Sequence, residues 1–176
     1  VKICVKSDLN GDTPMTDNMP TYRKWAMQQL QRNITIYSQV VLMTPPDVAT
    51  TARDGDDGWT ITEVMGHLRD FEDIFIERAQ ATATEDTPPL RFPDPDALTQ
   101  EQNYNAQPLT DLYSQWMEKR HTLLDYFETL TDEQWSRAGA HPNRGPFTIN
   151  DQLMLAVWHD SLHLEQIVKI LTEKHV

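Results

Sequence analysis

The sequence has one cysteine, Cys4, in 176 residues. No intramolecular disulfide can form, which fits a reducing, cytoplasmic setting, and a lone cysteine near a terminus is a poor candidate nucleophile. Basic residues are scarce as well: 15 Lys and Arg stand against 27 Asp and Glu, a formal net charge of -12. There is no basic cluster and no interleaved basic-aromatic stripe. Phosphate contacts need Lys and Arg, so no nucleic-acid partner is expected, and the acidity mainly favours solubility. No apolar run approaches the ~18 residues of a membrane span, so no membrane partner is expected either. The opening "VKICVKSDLN" lacks the long apolar region and cleavage site of a signal peptide. Internal repeats and low-complexity tracts are missing. After residue 19 there is no alternation of apolar and polar residues long enough to suggest a strand.

What is present is helix. The length suits one domain with a substantial core. Residues 1–19 are turn-rich and polar, and are expected to be a tail or upstream extension, with Met15 and Met19 as candidate starts. Residues 20–176 are expected to form the domain. A first helix spans residues 21–43 and stops at Pro45 and Pro46, followed by an Asp- and Gly-rich loop. A second opens at Thr60, where Glu63 completes a capping box, and runs to about residue 83. The third covers residues 109–130. "TDEQ" at Thr131 gives a second capping box and a short helix ending near Gly139. Thr148, with Asp151 in the box position, opens a last helix running to about residue 174. The fold class is therefore all-α, a four-helix bundle. A long Pro-rich connection, residues 84–107, joins the second and third helices, so those two can run parallel.

The helical wheel locates the histidines. With His159 at zero on the last helix, His163 falls at roughly +40° and Gln166 at roughly -20°. Apolar residues fill the adjoining arc, and Asp160, at roughly +100°, lies inside it. A core-facing aspartate needs a partner, because burying a lone charge costs several kcal/mol. On the second helix His67 also lies on the core-facing arc, near its edge. Two histidines at i, i+4 point the same way and can share an ion. A third inward histidine completes a facial set, the catalytic pattern for zinc; imidazole also suits nickel, iron and copper. The other reading of the same positions is a set of hydrogen-bonded core histidines.

Two segments, "WTITEVMGHLRDFEDIF" and "HPNRGPFTINDQLMLAVWHDSLHLEQI", resemble the DinB-like superfamily of bacterial four-helix proteins. The first carries a Trp-Thr helix start and an inward His, here Trp59, Thr60 and His67. The second carries Gly-x-x-Thr and His-x-x-x-His-x-x-Gln, here Gly145, Thr148, His159, His163 and Gln166. The resemblance covers residues 20–174. It implies an up-down-down-up bundle with the long crossover between helices 2 and 3. It also implies that His67, His159 and His163 are the ligands of a divalent transition metal, zinc or nickel. Homodimers are common among such proteins. Some relatives are transferases or isomerases that use the low-molecular-weight thiols bacillithiol, mycothiol or glutathione. Others are regarded as metal-dependent hydrolases.

The expected function is thus a metal-dependent enzyme, a thiol-dependent S-transferase or a hydrolase, acting on a small electrophilic molecule. The metal would bind a thiol as thiolate or bring a water's pKa toward ~7. Asp160 and Gln166 are candidates for fixing imidazole tautomers, with an interhelical polar contact as the competing role for Asp160. Glu63 is a candidate base, against its capping-box role. Trp25, Trp116, Trp158 and Tyr113 are expected in the core. The alternatives are a metal-binding or stress-response bundle without turnover, and a purely structural bundle. An open coordination position would separate enzyme from closed metal-binding bundle, and metal content would separate both from the structural one.

Overall fold

The computed structural model describes residues 19–173. The expected tail (all but Met19), Cys4 and His175 lie outside the described residues. Four long helices make the bundle: α1 (Thr21–Met43), α3 (Ile61–Thr84), α5 (Leu109–Thr129) and α7 (Ile149–Glu173). Smaller pieces join them: α2 (Pro46–Thr51), α4 (Pro95–Gln102), a single 3-10 turn (Tyr104–Ala106) and α6 (Asp132–Ser136). All three expected capping boxes form. The Thr60 hydroxyl accepts from the Glu63 N–H while Glu63 accepts from the Thr60 N–H. Thr131 and Gln134 do the same, as do Thr148 and Asp151. Each cap satisfies N–H groups that the helix itself leaves without an acceptor.

Side-chain pairs fix the helix directions. Along α3 and α5, Arg69 meets Gln115 and Glu72 meets Arg120, so both numbers rise together and the helices run parallel. Along α1 and α7, Arg23 meets Asn150 and Asn33 meets Asp160, again in parallel. Between α3 and α7 the order reverses: Thr82 meets Gln152 and His67 meets His159. The path is up-down-down-up, and the crossover makes the middle parallel pair possible.

Four details differ from the sequence-based expectation. The loop after α1 contains α2, a single short turn begun by Pro46. The crossover is not bare loop, since it holds α4 and the 3-10 turn. Two strands, β1 (Ala138–His141) and β2 (Gly145–Thr148), form a hairpin between α6 and α7, and α6 ends at Ser136 to feed it. Four-residue strands are too short to show a period. Gly145 supplies the positive φ, 73°, where the chain re-enters β2. Lastly, Trp25 and Trp158 are 69% and 56% exposed, whereas Trp116 is fully buried and Tyr113 is partly so.

The crossover is stitched down at two places. Its Pro88–Leu90 stretch bonds Ala140 of β1. Its Tyr104 ring lies on Gly66 of α3, where a Cβ would collide with it, and the Tyr104 hydroxyl donates to Asp70 at 2.6 Å. The interior divides into two apolar clusters. One contains Leu30, Phe71, Phe75, Leu123, Phe127 and Leu153. The other contains Tyr37, Ile61, Leu68, Trp116 and Ile167. Each fully buried Leu or Phe contributes about 1.5–3 kcal/mol, so these clusters dominate the stabilisation. Where they meet, each long helix places a buried polar residue: Asn33, His67 with Glu72, Arg120, and His159 with Asp160 and His163.

Candidate metal centre

His67 comes from α3 and His159 and His163 from α7, the two helices that run antiparallel. The i, i+4 spacing puts the α7 pair on one face. All three are buried, and one ligating nitrogen from each falls within 4.8 Å of the others. The Nε2 atoms of His67 and His159 face each other at 2.9 Å. An aromatic cage surrounds them. Phe71 lies 4.1 Å from the His67 ring and 5.2 Å from that of His159, and Phe75 meets His159 edge-on at 5.5 Å. Trp59 stacks on His163 at 6.2 Å.

That environment keeps the imidazoles neutral. Burial, then the neighbouring His163, pushes His67 down to about 2. Burial, followed by His163 and His67, holds His159 well below the usual range. Burial lowers His163 too, against the opposing pull of Gln166 and Asp160. A neutral imidazole offers a lone pair, the form a metal needs.

The proton positions follow from hydrogen bonds. The Gln166 side-chain oxygen is 2.8 Å from His163 Nδ1. An amide oxygen only accepts, so the His163 proton sits on Nδ1 and its Nε2 carries a lone pair. His67 and His159 are served less well. Their Nδ1 atoms are buried without a partner, so each ring has at most the single contact with the other. Two lone pairs at 2.9 Å repel unless a proton or a cation lies between them. Coordination would give each ring a strong bond that the protein alone does not supply. Three imidazoles without an oxygen donor suit zinc, nickel, copper or iron and disfavour calcium or magnesium. The residues therefore fit a divalent transition metal.

The structure separates the other candidates. Gln166 lies against His163 of the triad. The Asp160 carboxylate makes no hydrogen bond to the imidazoles. It is fully buried and accepts from Asn33 at 2.7 Å and from Arg120 at 2.6 and 2.9 Å, the interhelical role. Glu63 is occupied by the Thr60 cap, by Asn105 at 2.8 Å and by Arg53 at 3.1 Å. A carboxylate held by three donors is a poor base.

Two features escaped the sequence reading. Glu72 and Arg120 form the buried ion pair beside Asp160, and Glu72, five residues past His67 on the core-facing arc, carried the signal. Trp59, quoted as a helix-start residue, is also a wall of the site. Its indole N–H donates to Asp96 at 3.0 Å, and it lines a pocket of about 320 Å³ with Arg53, Gly58, Glu63, Asp96 and Thr99.

Comparison with known proteins points the same way. A family model described as the DinB superfamily matches residues 29–167. The chain is 30% identical over 155 residues to the Bacillus subtilis protein named "Putative metal-dependent hydrolase YfiT", covering 84% of this chain and 82% of that one. A Bacillus licheniformis protein of the same description is 25% identical over 162 residues, covering 88% and 87%. The YfiT structure, described as having an unusual four-helix bundle topology, superposes with a TM-score of 0.82 at 23% identity, covering 94% and 95%. A mycothiol-dependent maleylpyruvate isomerase superposes at 0.69 and 13% identity, covering 88% of this chain and 63% of that one, a likeness of fold.

Proposed function

The chain belongs to the DinB superfamily, and from that premise we propose that it is a metal-dependent enzyme whose His67, His159 and His163 hold one divalent transition metal, zinc or nickel. The observation that carries this reading is the triad itself: three buried, neutral imidazoles converging from two helices, two of them without any other polar partner. When bound, such an ion polarises an electrophile and lowers the pKa of a coordinated water or thiol.

The residues of the chain supply the rest. Gln166 holds the His163 proton at Nδ1 and so keeps Nε2 available. Phe71 and Phe75 exclude water from one side of the triad, which strengthens electrostatic interactions there. Trp59 packs on His163 and also lines the 320 Å³ pocket, a volume that suits a small molecule. Hydrolysis is the first reaction to test, because the curated relatives carry that description. The mycothiol dependence of the structural neighbour makes a small thiol the co-substrate to test second.

The test is elemental analysis of the purified protein beside the double variant His159→Ala/His163→Ala. The expected result is a stoichiometric transition metal in the wild type that the variant lacks. Ester and amide substrates with and without bacillithiol, mycothiol or glutathione then separate hydrolysis from thiol transfer. A wild type that takes up neither zinc nor nickel overturns the reading.

A further inference from the structure

Four arginines are buried among the described residues: Arg23, Arg69, Arg78 and Arg120. Three face carboxylates. Arg23 pairs with Asp132 at 2.9 Å, Arg69 with Asp70 at 2.7 Å, and Arg120 with both Glu72 and Asp160. Arg78, 2% exposed, has no carboxylate within salt-bridge reach among the described residues. Its Nε and Nη2 donate to the Arg91 carbonyl at 2.7 and 2.5 Å, and Nη1 makes no hydrogen bond with a described residue. The neighbouring Glu77 is turned to the surface, where it meets the Arg91 side chain at 3.3 Å. A buried guanidinium stays charged at neutral pH, and a backbone carbonyl satisfies donors without neutralising that charge.

A group with an unpartnered buried donor shares a neighbour with Arg78. His141, 3% exposed, accepts from the Asn143 N–H at its Nδ1, 3.1 Å away. The proton of the neutral ring is therefore on Nε2, and that buried N–H has no partner. Burial first, then Arg78 and Arg144, keeps the ring neutral. Phe92 touches both groups. The Arg78 guanidinium lies 5.7 Å from its ring and the His141 ring 5.1 Å from it. Phe92 itself is 48% exposed, so both groups pack against a ring that reaches solvent. The triad is close by: Phe75, one turn before Arg78, packs on His159, and the Arg78 charge is felt at His159.

We propose that Arg78 and His141 form a carboxylate-binding subsite beside the histidine triad, making the substrate a small molecule that carries a carboxylate. This rests on the metal-site reading for the word substrate, while binding itself needs no metal. A carboxylate supplies the counter-charge that Arg78 lacks and an acceptor for the His141 Nε2–H. One buried cation and one neutral donor match a single negative charge. A phosphate dianion would ask for more donors than the site shows.

The experiment titrates succinate, acetate and inorganic phosphate into the metal-free full-length protein. Calorimetry reads affinity and NMR reads the His141 imidazole. Saturable succinate or acetate binding is expected, with the His141 Nε2–H resonance shifting. Arg78→Gln should weaken binding at least tenfold with unchanged helical circular dichroism and unchanged zinc uptake. Arg78→Lys keeps the charge but loses the fork, and should weaken binding less; it serves in place of Arg78→Gln if that variant does not fold. His141→Phe keeps the ring packing and should weaken binding about fivefold through the lost donor, less than one charge-assisted bond is worth. No shift at His141, or equal affinity in Arg78→Gln and wild type, overturns the subsite. Phosphate binding as tightly as the carboxylates overturns the carboxylate class. Failure of zinc uptake with carboxylate binding intact would remove the metal reading and leave the subsite standing.

Discussion

Two buried polar clusters occupy the waist of the bundle, between its two apolar clusters, and they are built on opposite terms. Around Arg120 every charged group is answered. Glu72 takes two guanidinium donors and Asp160 takes two more, Asn33 adds a fifth bond, and the Tyr37 hydroxyl donates to the Asp160 carbonyl at 2.8 Å. The guanidinium also lies 4.8 Å from the Trp116 ring. Around His67 the groups are left wanting, with two Nδ1 atoms unpartnered and two Nε2 atoms pressed together. A satisfied network ties α1, α3, α5 and α7 into one register. An unsatisfied cluster of imidazoles in the same layer has the chemistry of a ligand site.

Arg120→Ala breaks the contrast from the satisfied side. It strands two buried carboxylates and should destabilise the fold by about 3–5 kcal/mol, read by urea unfolding. An unchanged midpoint would show that the network holds nothing together.

Acid sharpens the contrast from the other side. His67, His159 and His163 have folded-state values below the ordinary 6.5, so the unfolded chain binds more of their protons as pH falls. Their contribution is complete above pH 6.5 and is lost progressively below it. The metal-free protein should lose up to about 1.4 kcal/mol of stability per pH unit for each histidine kept neutral, the slope steepening below pH 6.5. Unfolding curves between pH 7 and 5 read the slope, and His67→Leu should flatten it while easing the crowding in the triad. A slope shared equally by wild type and variant would place the acid sensitivity elsewhere.

The smallest effect belongs to Gln166→Leu. It removes one hydrogen bond and should leave folding nearly unchanged while weakening zinc affinity about 10–100-fold, measured by competition with a chelator. Unaltered affinity would mean that packing alone orients His163.

The pattern of the residues carried much of this. Capping boxes at Thr60, Thr131 and Thr148 mark helix starts because their chemistry is local. The inward faces of His67, His159 and His163 follow from a period of 3.6. Asp160 on the same arc announced a buried charge with a partner, but not which one. Trp25 and Trp158 looked like core residues and are surface residues, because helical spacing shows that residues share a face and not whether that face is covered. The hairpin at 138–148 was illegible, since four-residue strands depend on neighbours distant in sequence, here Pro88 and Leu90.

The helices, their caps and the residues facing inward all follow from interactions within a few positions along the chain. Which inward groups meet depends on the packing: His67 with His159, Arg120 with Glu72 and Asp160, and Arg78 with no carboxylate among the described residues. Those pairings span 40 to 92 positions and depend on helix direction and depth, which the crossover and the packing of two apolar clusters set together.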